Sequence, residues 1–291
     1  MMLIILRSFL MSFGVALRVI VPAIGIFVAT AVLASLFNPI SGGLAGVVSG
    51  PISTVFVGLV GVRIALAHLG DRSAADHQFI FLQAVVFALI FYFAKGIAIV
   101  ASQLIALAFA GWQTGVGFSV AGIVSADQSL QTLFLLNTFA INTVVGWLLY
   151  AAVFAVLAIP FANAARSSGR GDRGHGTFFG FGRQFVPVFV VYAVSVFLQF
   201  FLGLYHFVVA IVPLVIGLIL VVSNQVVPNV EWEIILRGVA ASFGLLWLQA
   251  WTWSACALAL KAVDKADGGM TAKAPVKAHD VDVRELRKSR E

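Results

Sequence analysis

Six polar side chains stand where the surrounding sequence is apolar enough to lie inside a bilayer: Lys95, Gln103, Asn142, Gln199, His206 and Gln249. Hydrocarbon penalises such groups, so each is a candidate for binding or moving a solute. Lys95 is the sharpest case. It lies near the middle of an apolar run, where a lysine costs about 3 kcal/mol on insertion scales unless it pairs or meets water. No Asp or Glu lies at comparable depth. Its partners must then be carbonyls, amides, water or an anionic ligand; the plainer alternative is a helix that slides until the ammonium snorkels. His206, near the centre of another run, is a candidate proton carrier, with a hydrogen bond to Gln199 as its plainer role. Lys95, His206 and Gln199 therefore make up the candidate intramembrane polar site.

Groupings that would point to an enzyme are missing, so no catalytic residue is assigned. His68, Asp71, Asp76 and His77 crowd one short loop, but their spacing matches no compact metal motif, and no metal or cofactor is expected. The string Gly169-Arg170-Gly171-Asp172-Arg173-Gly174 lacks the ending of a phosphate loop and is not framed by strand and helix. Ser102 follows Lys95 by two turns along nearly the same face, a single coincidence rather than a Ser-Lys pair. Cys256 lies inside the last apolar run, so one chain can build neither a disulfide nor a cysteine metal site.

These side chains must be carried by membrane helices. Hydrophobic residues make up 61% of the 291, charged ones 10%, and the mean hydropathy of +1.05 cannot be hidden inside a soluble globule. Six apolar runs cover about 15 to 37, 44 to 68, 79 to 110, 133 to 161, 185 to 222 and 236 to 260. About 20 residues at 1.5 Å rise suffice to cross. Asn38-Pro39 is expected to close the first run and Pro160 the fourth. The fifth is too long for one straight crossing, so a break is expected near Gly203 or Pro213. Splitting it into a hairpin would require the third run to split too, giving eight crossings with Lys95-Gly96 at an outer turn. Six is the reading taken.

Charge sets the expected sides. Arg7, Arg63, Arg72, the Gly/Arg-rich loop at about 165–183 and the tail from Lys261 carry nearly all Lys and Arg, while the intervening loops carry almost none. The basic-inside rule then places both termini in the cytoplasm and, in a bacterial setting, the chain in the inner (plasma) membrane. Arg237 alone stands on the wrong side, near Glu231 and Glu233. The net charge of +6 arises from these loops and the tail, where anionic headgroups are the nearest partner, so nucleic acid is set aside. The expected organisation is an all-α transmembrane bundle over 1–260 and a cytoplasmic, disordered tail over 261–291. Trp232 suits an outer aromatic belt, and Trp251 and Trp253 suit packing between helices.

One packing signal stands out. Gly42, Gly46 and Gly50, continued by Thr54 and Gly58, recur every four residues and form a groove of small side chains along one face of the second run. Its partner helix belongs to this chain, to a second copy or to another subunit. The first functional expectation is a non-enzymatic subunit or scaffold of a larger membrane complex, concerned with transport or secretion and assembled through that face. The second is a self-sufficient small-solute or ion transporter or channel built on the polar residues at membrane depth.

Overall fold

The computed structural model describes residues 2–71, 77–115, 120–166, 178–212, 215–216, 219, 223 and 232–271. Among them there is no strand. The helices are α1 (Met2–Ser41), α2 (Leu44–His68), α3 (His77–Thr114), the short α4 (Val120–Ser125), α5 (Gln128–Arg166), α6 (Phe185–His206) and α7 (Trp232–Thr271). All but α4 are long and apolar enough to cross a membrane, so the described residues hold six candidate spans. α3 runs unbroken through Lys95-Gly96, which removes the eight-crossing alternative's outer turn.

The helices are longer than the apolar runs, and each extension has a local cause. α1 passes through Pro39 to Ser41. The chain turns instead at Gly42 and Gly43, whose φ values of 61° and 92° few side chains tolerate, and the Gly43 N–H donates to the Asn38 carbonyl at 3.1 Å. α5 likewise continues through Pro160 to Arg166. α7 runs past Lys261 to Thr271, so the first eleven residues of the expected disordered tail are helical. Lys261, Asp264 and Asp267 lie on successive turns of that extension, and each pairs with another part of the chain. Residues 272–291 lie outside the described residues, as do 167–177 of the Gly/Arg loop.

The fifth run changes character between the two expected break points. α6 gives way to a π-helical turn at Phe207–Ile211. Pro213 lies outside the described residues. The widened turn shifts the hydrogen bonds by one residue, with the Val212 N–H donating to the Phe207 carbonyl.

Packing is concentrated toward one end. α7 lies against α1, α2, α5 and α6, while α3 pairs chiefly with α5 and α1 with α2. The main core draws on Val15–Ala23 of α1, Val57–Leu66 of α2, Ile80–Phe87 of α3, Ala155–Ala165 of α5, Val188 of α6 and Ala250–Val263 of α7. Beyond it the α1/α2 and α3/α5 hairpins present Leu33, Phe37, Val47, Leu104, Leu135 and Phe139 outward, as lipid-facing helices do. Trp251 and Trp253 are buried and Trp232 is exposed. The indole N–H groups of Trp247 and Trp251 donate to Ser12 and Ser8, pinning the start of α1 across α7.

α2 and α7 approach closely at Gly61. A Cβ on Gly61 would stand 2.2 Å from the Trp253 ring, and one on Gly58 would stand 3.1 Å from Phe161. Nothing lies within 4 Å of the same position on Gly50. Gly61→Ala is therefore expected to lower the thermal unfolding midpoint in detergent, with an overpacking cost of about 1–3 kcal/mol. Gly50→Ala should leave the midpoint unchanged or raise it slightly.

Candidate functional site

A cavity of about 150 Å³ sits at the outer edge of the core, between α2, α3, α5, α6 and α7. Thr54, Val55 and Gly58 line it from α2, Phe91 from α3, and Tyr150, Phe154 and Phe161 from α5. Tyr192, Val196 and Gln199 of α6 and Gln249, Thr252 and Trp253 of α7 complete the wall. Each helix contributes at the level where it leaves the packed core. The lining mixes aromatic faces with amides and hydroxyls and contains no charged side chain. That is the composition of a small-molecule site: an apolar body with a few polar groups to orient what enters.

Part of the polar lining is already engaged. Tyr150 and Tyr192 meet edge-on, with ring centres 6.0 Å apart. The Ser195 hydroxyl donates to the Leu248 carbonyl at 2.6 Å, linking α6 to α7, and the Gln199 amide donates to Ser195 Oγ at 3.1 Å. Thr54 and Thr252 donate to the carbonyls of Gly50 and Gln249 on their own helices. Aromatic contacts stiffen the wall. Phe154 stacks on Tyr192 at 4.0 Å between ring centres and on Phe91 at 5.9 Å.

The residues singled out from the sequence divide sharply. Gln199 and Gln249 line the cavity. Lys95 does not: it is exposed on α3 with its ammonium 5.9 Å from the centre of the Tyr150 ring, a cation–π contact in place of a carboxylate partner. His206 closes α6, and its Nδ1 is buried without a hydrogen-bond partner among the described residues. Gln199 is engaged with Ser195 rather than with His206. Asn142 accepts from Ser102, which also donates to the Ile99 carbonyl, so Ser102 faces α5 and not Lys95. Gln103 is exposed.

The glycine stripe divides as well. Gly42 is a turn residue, a Cβ on Gly46 would stand 3.5 Å from Asn38 of the same hairpin, and Gly50 is bare. Thr54 and Gly58 belong to the cavity wall. Gly61, three residues beyond Gly58, escaped a search for spacing by four. Tyr150 and Tyr192 were also missed, although a signal existed: all four tyrosines of the chain fall within apolar runs.

The end of the bundle beyond the core is closed by ion pairs. Arg166 of α5 bonds Asp264 of α7 and lies 3.9 Å from Asp71 after α2, while Lys261 of α7 bonds Asp71 at 2.8 Å. Arg183, just before α6, holds Asp267 through two bonds of 2.8 and 2.9 Å, and that bonding raises its pKa above the usual arginine value. These contacts put the ends of α2, α5 and α7 and the start of α6 at one level, as six alternating crossings require. His68 turns to Arg18 at 3.3 Å and Asp71 to Lys261. Asp76, the His77 side chain, the Glu231 and Glu233 side chains and Gly169–Gly174 lie outside the described residues. Arg237 is exposed.

No family model matches this chain, and no curated protein or solved structure matches it.

The two sets of ion pairs should differ in weight. Arg166 is 10% exposed in its side chain, so Arg166→Leu strands Asp264 and should cost about 3 kcal/mol, measurable as a lower unfolding midpoint in detergent. Arg183→Gln, at the open surface, should leave that midpoint nearly unchanged.

Proposed function

We propose that the chain is a non-enzymatic, multi-pass protein of the inner (plasma) membrane that holds a small solute in the cavity between α2, α5, α6 and α7 and moves it across the bilayer. One observation carries this reading: amide and hydroxyl groups line a cavity at the edge of the core, among helices long enough to span. Hydrocarbon would penalise those groups if they served no purpose. Two further features favour it. The Arg166, Lys261 and Arg183 pairs close one end, and the π turn interrupts α6 just beyond the cavity, as broken helices do in transporters. The basic-inside rule assigns the ion-paired end and both termini to the cytoplasm, so the cavity faces outward. Gln199 and Gln249 are the polar contacts for the solute; Lys95 and His206 stand apart from it.

A second reading keeps the chain as a subunit of a larger complex or a homo-oligomer. It is favoured by the bare position of Gly50 and the thinly covered Gly46 on a hairpin whose outer half touches little else.

Cysteine accessibility tests the first reading. Thr54→Cys is expected to react with a membrane-impermeant maleimide added outside the cell, with the wild-type protein, whose single Cys256 is buried, as the unreactive control. Pairing Thr54→Cys with Asp264→Asn should shift labelling toward the cytoplasmic face. Absence of labelling from both faces would sink the transport reading. For the second reading, Gly46→Leu should reduce the native mass of the detergent-solubilised complex; an unchanged mass discards it.

A further inference from the structure

Size, ring geometry and the state of each polar group narrow what the cavity can hold, given that it is the solute site proposed above. We infer that its ligand is a neutral single-ring aromatic molecule bearing one hydrogen-bonding group, the chemistry of phenol. The volume of about 150 Å³ is that of an apolar protein cavity known to take up benzene. Phe91, Phe154 and Tyr192 form a continuous stack, with interplanar angles of 18° and 20°. A flat ring placed against that wall gains offset or edge contacts that an aliphatic body of equal volume would not.

Charge is disfavoured in both signs. No charged side chain lines the cavity, so an ion would lose its hydration with no partner in exchange. Aromatic cages can bind organic cations. Here, however, the Lys95 ammonium lies 5.9 Å from the centre of the Tyr150 ring that lines the cavity, and it opposes one.

The hydrogen-bonding groups at the wall are few and local. Gln199, Thr54 and Thr252 donate to Ser195, Gly50 and the Gln249 carbonyl. The side-chain amide of Gln249 makes no hydrogen bond to the described residues. It offers a donor and an acceptor at the wall, which matches a single hydroxyl that accepts from one and donates to the other.

The test uses the full chain in nanodiscs, with Thr54→Cys as reporter. Phenol should slow maleimide labelling saturably, and benzene should do so at about tenfold higher concentration, the difference expected from one hydrogen-bonded group. Gln249→Leu should weaken protection by phenol about tenfold and leave protection by benzene unchanged. Val196→Trp, which fills the cavity, should abolish protection by both while the protein still elutes as a single species. Protection by tetramethylammonium or benzoate in place of phenol would overturn the inference, as would equal protection by phenol and benzene. Rapid labelling that no probe slows would overturn the ligand class and leave the outward-facing cavity standing. Failure of Thr54→Cys to label at all strikes the transport reading itself.

Discussion

The Trp253 indole lying on the Cβ-less face of α2 is the contact from which the rest of the architecture follows. In lipid no hydrophobic force pulls one helix against another, so association rests on close van der Waals contact and hydrogen bonds. Gly58 and Gly61 let the α2 backbone approach Trp253 and Phe161. That approach sets the separation of α2 from α7 and α5, and it packs the core that runs from Ala155 to Val263 beneath it. The cavity is the space left just above, where Thr54 replaces glycine on α2 and the aromatic wall of α5 and α6 stands opposite. A bulkier residue at Gly61 would move both the core and the cavity floor.

The two ends of the bundle are held by different physics. At one end, buried alanines and branched side chains give way to a chain of charged groups, in which Asp71 is shared between Lys261 and Arg166. Partial burial makes these pairs count, because removing one partner leaves the other poorly solvated. At the other end the hairpins are tied within themselves. Asn38 reaches Gly43 and Gly46 across the α1/α2 turn, and Asn137 reaches Gln113 across α3 and α5. Few contacts join one hairpin to the next there. Segments with few buried contacts are where local opening is least costly.

Much of the candidate site was legible residue by residue and illegible as an arrangement. Gln199 and Gln249 stood out because a polar side chain in an apolar run is conspicuous. Lys95 and His206 stood out for the same reason, yet Lys95 is exposed on α3 beside the Tyr150 ring and His206 sits where α6 gives way to the π turn. Tyr150 and Tyr192 blended into runs already rich in aromatics. The glycine spacing singles out one face of α2, but periodicity cannot say which end of a stripe is occupied. Trp253 and Phe161 occupy its lower end, and the upper end is a turn and an open face.

Composition and hydropathy by themselves determined that the described residues carry six helices long and apolar enough to cross a membrane. This is a local matter: backbone N–H and C=O groups in hydrocarbon must be satisfied within their own segment, and about 20 apolar residues are enough to do it. Proline positions and the ends of apolar runs were weaker guides, since α1 and α5 pass straight through Pro39 and Pro160. Only the tertiary structure decided which faces meet. Gly61 and Trp253, Asp71 and Lys261, and Ser8 and Trp251 are far apart in the chain. Nothing local to either member of such a pair encodes the other, because the pairing depends on how whole helices tilt and interlock.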